Sequence, residues 1–146
     1  MRLGIDVKHR CVLIADAHRN LLRAVSKLLQ NSFDSVIIAE DGGSLLAKAK
    51  KWRPDLIIVD LSLPYSGSVN ILRRLRLSDS LPNVKIVVLS VHDEVEVVRE
   101  MFAAGATGFV LKWAVATDLL YAVREVLEDR IYVSSGIKPE ASIFRE

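Results

Sequence analysis

Leu56-Ile57-Ile58-Val59-Asp60 is an unbroken aliphatic run that ends in an acid. It has no polar alternate position, so a strand made from it is buried on both faces. Such strands lie inside a sheet covered by helices. Three other runs have the same form. Cys11-Val12-Leu13-Ile14-Ala15 leads to Asp16, Val84-Lys85-Ile86-Val87-Val88-Leu89 to Ser90, and Gly108-Phe109-Val110-Leu111 to Lys112. In one parallel sheet these terminal residues share the carboxyl edge, where ligand and catalytic groups collect in open α/β folds. Two anions, a hydroxyl and a cation then converge on a site suited to a phosphoryl group.

Helical patterns fill the intervals between the runs. Leu21, Leu22, Val25, Leu28 and Leu29 predict a helix over about 19–30, after a first strand at 10–16. A short second strand at 35–39 precedes a helix that Gly42-Gly43 opens and Arg53-Pro54 stops. After the third strand, at 56–59, Pro64 breaks the chain. Val69, Leu72 and Leu75 then mark a third helix that ends before Leu81-Pro82. The fourth strand spans 85–89 and the fourth helix about 93–104, with Gly105 as its terminator. The fifth strand covers 108–111 and the fifth helix about 116–128. Five βα units give an α/β fold, a doubly wound five-stranded parallel sheet with five helices. Residues 1–9 read as a leader and 10–133 as the domain, with 134–146 a tail or the start of a linker.

Bulk properties narrow the function. The 146 residues suit one domain, 51% hydrophobic and 26% charged, with a net charge of +2. That charge is too small for a nucleic-acid face, and Arg73, Arg74 and Arg76 read as a solvated helix face. Cys11, the one cysteine, reads as a small core residue, with no disulfide or zinc pattern available. No stretch reaches the roughly 18 apolar residues of a membrane span, and no signal peptide is visible, so a cytoplasmic protein is expected. His18 and His92, as isolated loop histidines, read as neither metal ligands nor acid–base groups.

Taken together, the strand-end residues resemble the receiver domain of two-component response regulators. The intervals of 30 residues from Asp60 to Ser90 and 22 from Ser90 to Lys112 fit that layout. The segments Ile14-Ala15-Asp16-Ala17-His18, Leu89-Ser90-Val91-His92-Asp93 and Ile131-Tyr132-Val133-Ser134 are similar to the NarL/LuxR-type subgroup. The resemblance implies a CheY-like (flavodoxin-like) fold, with Asp60 as phospho-acceptor, Ser90 as switch hydroxyl, Lys112 as phosphate partner and Phe109 as switch aromatic. It further implies Mg2+ on Asp16, Asp60 and the backbone carbonyl of Ser62, and a histidine kinase as phosphoryl donor. The responding face would be helix four, strand five and helix five, where a partner or a second copy could bind. DNA would be reached only through an output domain absent from this chain. The resemblance implies a signalling domain rather than a metabolic enzyme.

The pattern breaks at Ala17, where receivers usually carry a second acid, the direct magnesium ligand. Weak magnesium binding follows as an expectation, because magnesium demands near-octahedral oxygen ligation. Ser68 stands where glycine is common, and Trp113 where proline is common. A rival is a pseudo-receiver, an interaction module that works without phosphorylation. Asp16 alone could equally be a structural cap on the first helix. Flavodoxin-type carriers and haloacid-dehalogenase phosphatases are disfavoured. Ala17-His18-Arg19-Asn20 is no phosphate loop, and Asp16-Ala17-His18 is no Asp-x-Asp motif.

Overall fold

The strand that the all-aliphatic run demands is present as β3 (Leu56–Asp60), buried along its whole length. A computed structural model gives the structure, which describes residues 10–63, 68–78, 81 and 83–137. The expected leader, Pro64, Pro82, the side chain of Ser68 and the end of the tail lie outside the described residues. β3 pairs in parallel with β1 (Cys11–Ala15) on one side and β4 (Lys85–Ser90) on the other. β2 (Ser35–Ala39) lies beyond β1, and β5 (Gly108–Leu111) beyond β4. The alternation therefore builds the doubly wound α/β sheet that the sequence predicts.

Successive side chains on a strand point to opposite faces, and two core layers follow from that. Val12, Ile14, Ile58, Leu89 and Val110 face α1 (Arg19–Leu29) and α5 (Val115–Leu127), meeting Leu22, Val25, Leu119 and Val123. Leu13, Ile57, Val59, Ile86 and Val88 take the other face. There they meet Leu45 of α2 (Gly42–Trp52), Leu72 of α3 (Ser68–Leu77) and Val98 of α4 (Val95–Ala103). Each fully buried aliphatic side chain stabilises the fold by about 1.5–3 kcal/mol. An exposed pair such as Arg130–Glu125, at 2.8 Å, contributes far less, because water and salt screen it. The two apolar layers, not surface ion pairs, hold the sheet that aligns the strand ends.

Helix ends follow local chemistry. Asp41 caps α2 by accepting the Ser44 N–H at 2.8 Å, and Arg53 closes it at φ 47° ahead of Pro54. Gly105 takes φ 118° after α4, a conformation that only glycine adopts cheaply. The guanidinium of Arg76 donates to the Gly105 carbonyl from Nε (3.0 Å) and Nη2 (2.6 Å). This corrects the expectation of a wholly solvated arginine face. Arg73 and Arg74 are exposed, whereas Arg76 is half-buried and ties α3 to the end of α4. Cys11 is likewise half-buried rather than a core residue.

A sixth parallel strand, β6 (Tyr132–Val133), extends the sheet beside β5. Two residues are too short to show periodicity, so it was not legible as a strand. Packing continues past it. The Ser134 hydroxyl, in a residue 2% exposed, accepts the Leu111 N–H at 3.0 Å and donates to Asp118 Oδ2 at 2.8 Å. Ile137 is also buried against the core. Ser134→Ala leaves the buried Leu111 N–H without that acceptor. It should lower unfolding free energy by about 1–3 kcal/mol in urea titrations; a change below about 0.5 kcal/mol would contradict this role.

Candidate functional site: the carboxyl edge of the sheet

The strand order is β2-β1-β3-β4-β5-β6. The chain leaves β1 toward one edge, to β2, and later fills the other side from β3 onward. A crevice opens where that direction reverses, outside the carboxyl ends of β1 and β3. Asp16 follows β1, Asp60 ends β3, Ser90 ends β4, and Lys112 follows β5 at the start of a 3₁₀ turn over Lys112–Ala114. Topology alone thus brings residues almost a hundred positions apart to one place.

The carboxylate of Asp60, 1% exposed, is the hub. Lys112 Nζ lies 2.8 Å from its Oδ1. The Ser62 N–H donates to Oδ1 at 3.1 Å and the Ser62 hydroxyl to Oδ2 at 3.0 Å. Burial pushes the Asp60 carboxyl up, but Lys112 and the two Ser62 donors outweigh it, and the group sits below its ordinary value. Asp16 differs. Its burial, together with the Asp60 charge, outweighs the His18 N–H bond and the pull of Lys112, and its carboxyl sits above the ordinary value. Asp16 Oδ2 is buried and has no hydrogen-bond partner among the described residues.

Asp16 is not a side-chain cap on α1. Its Oδ1 accepts the His18 N–H at 2.8 Å, closing a tight turn, and α1 begins at Arg19, just after His18, without a side-chain cap. That turn swings the imidazole into the crevice. His18 Nδ1 lies 3.0 Å from Asp16 Oδ1, 3.4 Å from Asp60 Oδ2 and 3.4 Å from Lys112 Nζ. His18, which the sequence left outside the site, therefore stands beside both acids. The available signal was its place two residues after a strand-end acid, where an Asp side chain readily captures the i+2 N–H. His92 does not join the group.

Ser90 is buried at the same edge, but its hydroxyl is engaged locally. It accepts the His92 N–H at 2.8 Å and donates to the His92 carbonyl at 3.2 Å. Phe109 is fully buried in the layer shared with α4. Ala17 is exposed and its side chain offers no ligand atom. For the magnesium ion implied by the resemblance, two carboxylates, one of them with an orphaned buried oxygen, are a fitting start. Magnesium commonly binds through one or two carboxylates plus water and phosphate oxygens. The third group within reach is the nitrogen of His18, and the ligand atoms of Asp16, His18 and Asp60 lie within 4.8 Å of one another.

A doubly wound parallel sheet with two acids, a hydroxyl and a lysine at its carboxyl edge is the arrangement of the receiver class of signalling domains. The chain belongs to the response regulator receiver domain family, whose profile matches residues 12–124. It is 35% identical over 124 residues to the oxygen regulatory protein NreC of Staphylococcus haemolyticus (strain JCSC1435), covering 84% of this chain and 57% of that protein. The chain thus spans little more than half the length of that curated relative. It superposes on a LuxR-family two-component response regulator from Aurantimonas sp. SI85-9A1 with TM-score 0.80 at 24% identity, covering 88% of this chain and 92% of that one. For the signal receiver domain of NarL from Mycobacterium tuberculosis the TM-score is 0.76 at 28% identity, covering 84% and 99%. These likenesses place it in the NarL/LuxR subgroup of two-component receivers. Among the described residues no helix is long and apolar enough to cross a membrane.

The opposed shifts give a pH prediction. Ionised Asp16 works against the folded state above its raised value, whereas ionised Asp60 supports folding above the ordinary value and loses that support as pH falls through its depressed one. In chelator at pH 7, Asp16→Asn should raise stability by about 1 kcal/mol, or roughly 3–5 °C in melting temperature. The gain should shrink as pH falls from the raised Asp16 value toward about 3.9. Identical melting curves at every pH would contradict the assignment.

Proposed function

We propose that Asp60 accepts a phosphoryl group from the phosphohistidine of a histidine kinase and that the chain acts as a phosphorylation switch. The observation that carries this is the 2.8 Å contact of Lys112 Nζ with Asp60 Oδ1 in a nearly fully buried site. A carboxylate held ionised and beside a cation can approach an anionic phosphoryl group, and such transfer depends on positioning and electrostatics. An Asp60 carboxylate oxygen attacks phosphorus. The P–O bond forms as the P–N bond breaks, and the departing imidazole keeps the electron pair and takes a proton. Lys112 then lies against phosphoryl oxygens, and water returns the carboxylate by hydrolysis. A magnesium ion, when bound, supplies further positive charge to those oxygens, held by Asp16, Asp60 and the Ser62 carbonyl.

The new phosphate would compete for the Ser90 hydroxyl, now bonded to His92. Releasing that bond would shift the β4–α4 connection and so the face formed by α4, β5 and α5. Drawing the Ser90 hydroxyl inward would leave room for Phe109, whose ring is fully buried, to repack. In a longer protein this face would control a DNA-binding output domain, as subgroup membership suggests, or pair with a second copy. A cytoplasmic location fits this role.

A pseudo-receiver reading has one specific observation in its favour: Ala17 supplies no oxygen at the metal side. Beryllofluoride with divalent metal separates the two. A phospho-acceptor should give a saturable change in Trp113 fluorescence that Asp60→Asn abolishes. No change, or one that persists in Asp60→Asn, would favour the phosphorylation-independent module.

A further inference from the structure

His18 has no assigned part in receiver chemistry here, yet its Nδ1 points into the crevice at Asp16 and Asp60. We propose that His18 acts as a nitrogen ligand where Ala17 leaves an oxygen missing. Asp16, His18 and Asp60 then form a centre for imidazole-accepting divalent cations of the manganese, cobalt and zinc class rather than one tuned to magnesium. The inference builds on the metal side of the proposed receiver site, but not on phosphoryl transfer itself.

Three observations converge. The Nδ1–Oδ1 and Nδ1–Oδ2 separations are 3.0 and 3.4 Å. The ligand atoms of Asp16, His18 and Asp60 lie within 4.8 Å of one another, close enough for one cation to replace the present His18–Asp16 hydrogen bond and the nearby Lys112 contact with metal bonds of about 2.0–2.2 Å. Asp16 Oδ2 is buried without a hydrogen-bond partner among the described residues, in a residue that is 0% exposed. Two acids share the crevice with one lysine, and that lysine is bonded to Asp60 Oδ1, whereas His18 approaches Oδ2. A divalent cation would offset the carboxylate charge that one lysine leaves uncompensated.

Ligand chemistry then sets the choice of metal. Mixed carboxylate–imidazole sets suit manganese, cobalt and zinc, whereas magnesium favours oxygen and dehydrates reluctantly. The His18 side chain is 62% exposed, so water can complete the sphere, and its removal does not open the core. Any site prefers cobalt to magnesium to some degree; the diagnostic quantity is how that preference depends on His18.

The test titrates the full 146-residue chain with Co2+, read by visible absorption, and separately with Mg2+, read by Trp113 fluorescence. His18→Ala should weaken Co2+ binding by roughly tenfold or more, with Mg2+ affinity held within about twofold. His18→Asn keeps a polar group near Asp16 without an imidazole nitrogen and should remain as weak for Co2+ as His18→Ala. His92→Ala, as a control, should bind like the unsubstituted chain. Equal losses for both metals, no loss of Co2+ affinity, or full recovery in His18→Asn would overturn the proposal. Beryllofluoride insensitivity alongside the predicted cobalt pattern would sink only the receiver chemistry, and the converse only the imidazole ligation.

Discussion

The ion pair between Asp60 and Lys112 is the constraint on which the site depends. At the sheet edge a buried carboxylate would otherwise protonate or repel its neighbour Asp16. Lys112 at 2.8 Å and two donors from Ser62 keep Asp60 charged. Asp16 receives less help and is displaced toward the neutral form. The pocket therefore stays asymmetric, with one acid held ready as an anion and the other awaiting a cation.

That asymmetry rests on the sheet. Asp60 ends β3 and Lys112 follows β5, two strands separated by β4 in the strand order, so their meeting is set by the register of three buried strands. Asp60 lies opposite Leu89, and Ser90 opposite Leu111. A one-residue slip in any of them would reverse every side chain between the two core layers. The same apolar packing that stabilises the domain thus fixes the spacing of its charged groups. At the far edge, Ser134 secures the Leu111 N–H one residue before Lys112, and so steadies the strand from which the lysine projects.

The sequence made the fold and half of the site legible for one reason. Runs apolar on both faces have few structural solutions, and the residues ending them must share an edge. Asp60, Lys112, Asp16 and Ser90 were found that way. Contacts that depend on a single turn or side-chain direction left no such trace. His18 enters the crevice only because Asp16 captures its N–H, and the Ser90 hydroxyl turns toward His92. Arg76 was hidden in a basic group because its partner is a backbone carbonyl after α4. The two-residue β6 is below the length at which alternation means anything. Ala17 was readable as a missing oxygen, but not the imidazole that stands beside the gap.

Peptide mapping after incubation with a small phosphoramidate donor, in separate samples with Mg2+ and with Mn2+, is the most direct test of Asp60 as the acceptor. One hydroxylamine-sensitive phosphoryl group should appear on the peptide containing Asp60, and none in Asp60→Asn. Absence of the modification with both metals, or an equal modification in Asp60→Asn, would contradict a phospho-accepting role for this pocket.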